Sequence, residues 1–173
     1  MLFMGIPGPV ANGTNRIAIL AQNISAVTAF RRRGFSDFRL SLSLSAAAAL
    51  GALGGASVGV HLDGEWFDRV LAMVMIAVMV LMATGRDRVD ARPTDRPPRN
   101  LVPGHLLMVG AGFWGGFIQI GVGFILMPIL HRVLGLDLVR VNMHKVFIVL
   151  VYTVVALAVF ASQLELLWWT GLA

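Results

Sequence analysis

The sequence predicts an all-α, polytopic transmembrane helical bundle of two similar halves, with a Gly-rich segment that is broken or re-entrant. Three observations lead there. Hydrophobic residues form 57% of the chain and charged ones 13%, whereas water-soluble domains carry roughly 25% charged and under 50% apolar residues; the mean hydropathy is +0.79. The charges are also clustered, leaving 40–60 and 70–85 with no ionisable side chain, and apolar runs near 20 residues have the length of bilayer-crossing helices. Finally, a shift of 130 residues carries Gly5 onto Gly135, Asn12 onto Asn142, Leu20 onto Leu150, Ala26 onto Ala156 and Phe30 onto Phe160 without a gap, with aromatic Phe38 falling on Trp168, which marks a duplicated unit.

Taken in order, helix A runs from about Thr14 to Phe30 and stops against Arg31, Arg32, Arg33 and Gly34. Helix B covers about Leu40 to Val60; Gly51, Gly54, Gly55 and Gly59 give it one smooth face suited to close helix contact. Helix C, about Phe67 to Thr84, is built of Met, Val, Leu, Ala and Ile. Residues 85–100 combine Arg, Asp and Pro into an exposed linker that cannot bury apolar area. Segment D, about Leu101 to Leu130, is interrupted by Gly110, Gly112, Gly115, Gly116, Gly121, Gly123 and Pro128. Segment E spans about Asn142 to Phe160, and Trp168 and Trp169 follow as interfacial anchors. The domain organisation is thus a first half at 1–84, a cytoplasmic linker at 85–100 and a second half at 101–173.

Several function classes drop out. Cysteine is absent, so disulfides and thiolate chemistry are excluded. The four histidines, His61, His105, His131 and His144, have no metal-ligand spacing. No Walker loop, Ser-His-Asp set or carboxylate pair stands where catalysis needs it, so no enzyme and no cofactor are expected. The net charge of +5 resides almost wholly in arginines between apolar blocks, where they act as topology signals rather than nucleic-acid contacts. Residues 1–15 lack the basic and apolar regions of a signal peptide.

The stretches Thr14-Asn15-Arg16-Ile17-Ala18 with Gln22-Asn23, Phe30-Arg31-Arg32-Arg33-Gly34 with Asp37-Phe38-Arg39, GFWGGFIQIGVGF from Gly112 to Phe124, and GLDLVRVNMHK from Gly135 to Lys145 resemble the sulfite exporter TauE/SafE family of permeases. The resemblance covers nearly the whole chain. It implies a multi-pass inner-membrane permease for a small, sulfur-containing anion such as sulfite or an organosulfonate, working by secondary transport. Such families have two halves, each opening with a Gly-rich segment; against that pattern the first half lacks its counterpart of segment D and the second lacks counterparts of helices B and C. A non-transporting membrane subunit, or an inactive fragment of a permease, is the alternative expectation. Expected partners are the small anion and the lipid bilayer, with no nucleic acid; self-association into a homo-oligomer is left open.

Charge also predicts orientation. The A–B loop and the linker are rich in Arg and the B–C loop holds only Asp63 and Glu65, so the first two face the cytoplasm. Residues 1–15 carry no charge while Arg132, Arg140 and Lys145 precede or open E, and four arginines follow A while only Glu165 follows E. Helix A then enters from outside and E from inside, which inverts the halves. Inversion needs D to enter and leave on the cytoplasmic side, as a hairpin turning near Gly115 and Gly116; one tilted helix with parallel halves is the other option.

An anion leaving water needs replacement donors. Candidates on segment D are Gly115, Gly116, Gly121 and Gly123 with Gln119, though close helix packing explains the glycines equally well. Helix A offers Asn12, Asn15, Arg16 and Asn23, and Asn12, Arg16 and Asn23 share a face. Segment E repeats the arrangement with Asn142, Lys145 and Thr153, flanked by His144 and Tyr152; a proton-coupling role for His144 is one reading, with a loop or interfacial histidine the plainer one. The expectation is that Arg16 and Lys145 attract the anion while the asparagines and glycines coordinate it; the plainer reading has both cations snorkelling to headgroups.

Overall fold

In the computed structural model, residues 6–34, 37–61 and 98–172 are described, together with nine helical positions between Glu65 and Val80. Most of predicted helix C and of the 85–100 linker lies outside the described residues. The rest is helical: α1 (Gly8–Arg32), α2 (Phe38–Val60), α3 (Leu101–Phe117), α4 (Val122–Pro128) continued by a π-turn (Ile129–Val133), α5 (Leu138–Gln163) and the short α6 (Trp168–Leu172).

Helix α1 begins at Gly8, six residues before the Thr14 start read from the sequence, because Pro9 occupies its first turn, where a missing N–H costs nothing. Helix α5 begins at Leu138 because the Asp137 carboxylate accepts from the backbone N–H groups of Val139 and Arg140 at 2.9 and 3.0 Å. Helices α2 and α5 are long and apolar enough to cross a membrane, with windows of mean hydropathy 1.5 and 2.3. Leu50, Leu53, Val102, Leu106 and Phe113 lie exposed on α2 and α3, an apolar surface suited to lipid rather than water.

The tightest seam joins α2 to α3. Gly51 and Gly55 of α2 lie against the Val109 and Phe113 backbone, and Gly112 and Gly116 of α3 lie against the Ala48 and Ala52 backbone. A Cβ on any of these four would overlap main-chain atoms, so the glycines let two backbones meet in the manner of small-residue membrane packing. Ser43 pairs with His105 near one end and Gly59 lies by Phe117 near the other, which makes α2 and α3 parallel. Helix α5 is parallel to α2 as well, since Ser41 meets His144 and Gly59 meets Phe160. Helix α1 runs opposite: Gly13 and Arg16 near its start touch Phe160 near the end of α5, while Phe30 near its end shares a cavity with Met143 and Phe147. Leu44, Ala52, Met108, Leu126, Leu130, Ile148 and Tyr152 fill the core between α2, α3, α4 and α5.

Segment D is broken into two helices. Helix α3 ends at Phe117, residues 118–121 turn with Gln119 and Gly121 at positive φ (66° and 73°), and α4 leads back. The turn falls two residues beyond the Gly115-Gly116 pair. The segment's two ends meet: the Arg99 N–H donates to the Leu134 carbonyl at 3.0 Å, Asn100 Nδ2 donates to the Val133 carbonyl at 3.3 Å, and Gly104 makes room for Leu134. Arg31, Arg32, Arg33, Arg39, Arg99, Arg132, Arg140 and Lys145 all belong to this end of the bundle, where α1 finishes and α2, α3 and α5 begin.

Candidate functional site

A helix that stops leaves its last carbonyls without intrahelical partners. At the end of α3 the Trp114 carbonyl takes the N–H groups of Ile118 and Gln119, and the next three carbonyls are satisfied from α1. Arg16 donates to Gly115 O at 2.9 Å through Nη1, and through Nη2 to Gly116 O at 2.5 Å and Phe117 O at 3.4 Å. Asn12, one turn earlier on the same face, donates to Phe117 O at 2.7 Å. The guanidinium also stacks over the Phe160 ring, 4.7 Å from its centroid.

Arg16 is fully buried, and among the described residues no carboxylate pairs with it. The partial negative charge at the α3 terminus, about half an elementary charge, offsets only part of its own. A net positive charge therefore sits inside an apolar bundle. Beside it, among the described residues, Arg16 Nε has no hydrogen-bond partner, and the adjoining Gln119 and Tyr152 side chains leave Gln119 Oε1 and the Tyr152 hydroxyl without a hydrogen bond of good geometry. Gln119 is held by its Nε2, which donates to Thr153 Oγ1 at 3.1 Å. Gly115 matters sterically, because a Cβ there would stand 2.8 Å from the Tyr152 ring. Gln119 adopts its left-handed backbone without glycine's freedom, a strain that costs on the order of 1–2 kcal/mol and persists where surroundings impose it.

Of the residues singled out from the sequence, the structure brings together Asn12, Arg16, Gly115, Gly116, Gln119 and Thr153, with Gly121 completing the turn. The others lie apart. Asn15 is exposed on the outer face of α1. Asn23 and Asn142 spend their amides on the carbonyls four residues back, Ile19 and Leu138. Gly123 opens onto free space. Lys145 is half-buried near the start of α5; fifteen residues, about 22 Å of helix, separate it from Phe160. Arg16 and Lys145 thus do not share a site, because the antiparallel packing of α1 and α5 sets their starts at opposite ends. The glycines of segment D present carbonyl acceptors to Arg16 rather than N–H donors to an anion, since the terminus that meets it is a C-terminus. Tyr152 and Phe160 belong to the cluster as well. Tyr152 is the one tyrosine in the sequence, and a phenol in an otherwise apolar spanning helix is a signal that points inward.

The model of the sulfite exporter TauE/SafE family matches residues 1–173. The chain is 26% identical over 172 residues to the probable membrane transporter protein ORF9 of Sinorhizobium sp, covering 99% of this chain and 66% of that one. It is 27% identical over 129 residues to a probable membrane transporter protein of Xylella fastidiosa strain 9a5c, covering 73% of this chain and 49% of that one. The chain therefore spans between about half and two thirds of the length of these relatives. No solved structure matches it.

Proposed function

This chain belongs to the sulfite exporter TauE/SafE family, and on that premise we propose that it serves in a multi-pass inner-membrane permease moving a small sulfur-containing anion by secondary transport. The observation that carries the anion is Arg16: a buried cation with no carboxylate partner among the described residues, an Nε–H with no acceptor there, and the Gln119 and Tyr152 side chains at its side. Charges inside membrane proteins are costly and mark ion paths. In this reading Arg16 Nε–H and the Tyr152 hydroxyl bind the anion, while Asn12, Gln119 and Thr153 hold the broken segment open beside them. An oxyanion of sulfur offers several acceptor oxygens to such donors. The test is uptake of sulfite or methanesulfonate by proteoliposomes containing the full-length protein; saturable flux is expected, and flux no greater than in empty vesicles would point to a non-transporting subunit instead.

The same reading takes segment D as a re-entrant hairpin and the halves as inverted. The joined ends at Arg99 and Leu134 support the hairpin. The shift of 130 residues supports inversion: it carries Gly8, where α1 begins, onto Leu138, where α5 begins, and Phe38 onto Trp168, where α2 and α6 begin, while α1 and α5 run antiparallel. The basic end then faces the cytoplasm, and α5 ends outside. A cysteine at Ser162, an exposed position, should react with a membrane-impermeant maleimide added outside. Protection from outside with labelling from the cytoplasm would rule the hairpin out.

A further inference from the structure

His144 is the second buried polar centre, and the Arg16 site does not use it. It has no exposed surface, Nδ1 lies 2.8 Å from Ser41 Oγ, and Nε2 has no hydrogen-bond partner. That nitrogen points at Asp37, whose Oδ2 is 4.0 Å away and whose side chain is 37% exposed. Asp37 in turn accepts from Arg140 Nη2 at 2.9 Å. The other charged group acting on the ring is Asp137, which caps α5, and Asp37 and Ser41 share with Arg31 of α1 a cavity of about 20 Å³ lined also by Phe38, Met143 and Phe147. A cavity of that size holds one water.

Leaving Nε2 unpaired in the interior is unfavourable in either neutral tautomer. If Ser41 donates to Nδ1, an N–H is stranded against a carboxylate it does not reach; if Nδ1–H donates to Ser41, a lone pair faces that carboxylate. In the doubly protonated ring Nδ1–H donates to Ser41, and the added charge on Nε2–H draws Asp37, 4.0 Å away in this structure, to turn within hydrogen-bond reach. The charge is not needed for packing. Moved by 130 positions, Asp37, Ser41 and His144 become Leu167, Gly171 and Thr14, and those residues make the corresponding corner with neutral groups: the Leu167 N–H donates to Thr14 Oγ1 at 3.2 Å and Gly171 packs on the Thr14 backbone.

We propose that His144, Ser41 and Asp37 form a proton-binding site at the basic end of the bundle, and that its occupancy is coupled to anion movement at Arg16. The proton comes from bulk water by way of Asp37 and the cavity, binds Nε2, and leaves by the same carboxylate; the ion pair of Asp37 with Arg140 loosens as Asp37 turns to the imidazolium. Helix α5 links the two sites, since it carries both His144 and Tyr152. The coupling half of this inference rests on the anion-permease reading; the proton half does not.

Two measurements separate them. In full-length protein labelled with 15N-histidine and carrying His61→Gln, His105→Gln and His131→Gln, the His144 resonances should pass from a single tautomer to a ring protonated on both nitrogens as the pH is lowered; a fixed tautomer down to the pH at which the protein unfolds overturns the proton site. In proteoliposomes, one proton per anion makes a one-unit pH gradient worth about a tenfold steady-state ratio of methanesulfonate. The wild type should reach about that ratio with one sign of gradient, and His144→Gln should fall to about one. A tenfold ratio persisting in His144→Gln overturns the coupling. Absence of methanesulfonate flux in the wild type would instead overturn the permease reading and with it the coupling, while the resonance titration still decides the proton site.

Discussion

Replacing Arg16 with Gln in the full-length protein should lower anion flux on the order of 100-fold. The estimate follows from the loss of charge-assisted hydrogen bonds worth about 1.5–3 kcal/mol each, at about 1.4 kcal/mol per tenfold in rate. Two effects combine. In the proposed reading the anion loses the cation that replaces its hydration, and the carbonyls of Gly115, Gly116 and Phe117 lose the donor that fixes the end of α3. Arg16→Lys should be intermediate, because an ammonium keeps the charge but cannot fork between successive carbonyls. Flux in proteoliposomes, normalised to protein that elutes monodisperse in detergent, checks both. Wild-type flux in Arg16→Gln would remove this residue from the site.

The α2–α3 seam should be the least forgiving part of the fold. A Cβ at Gly112 would lie 2.6 Å from the Ala48 Cα and carbonyl carbon, and no flexible side chain is there to yield. Overpacking of this kind costs about 1–3 kcal/mol per site, so a Gly55→Val, Gly112→Val double variant should lose its monodisperse peak in size-exclusion chromatography. Gly110 sits on the same helix with nothing within 4 Å of its missing Cβ. Gly110→Ala should keep the wild-type profile and gain slightly in thermal midpoint, since Ala favours the helix by about 1 kcal/mol. Equal behaviour of Gly110→Ala and the double variant would show that the seam is not formed in the folded protein.

The sequence makes the membrane character, the helix order and the inward-facing position of Arg16 readable because each depends on local composition: apolar run length, charge flanking, and a cation amid apolar residues. The break in segment D is readable too, from its glycines. What the glycines do is less so. Gly51, Gly55, Gly112 and Gly116 serve packing, Gly115 makes room for Tyr152 and Gly121 turns the chain, and nothing in a run such as GFWGGFIQIGVGF distinguishes these duties. The pairing of Arg16 with Lys145 follows from sequence equivalence, yet equivalence under an antiparallel relation separates such residues instead of joining them. Tyr152 and His144 stand out in the sequence as the residues flanking the polar set of segment E, but what they do is not legible there, because each depends on a neighbour from another helix, Gly115 for one and Asp37 for the other.

The main-chain contact between α2 and α3 also bears on mechanics. Helices that interlock backbone to backbone have no side-chain layer in which to slide, so these two must travel as a single stiff plate. On the proposed reading, opening and closing around Arg16 would occur where side chains intervene, between α1 and its neighbours α3 and α5, with the guanidinium of α1 and the Phe160 ring of α5 as the bearing.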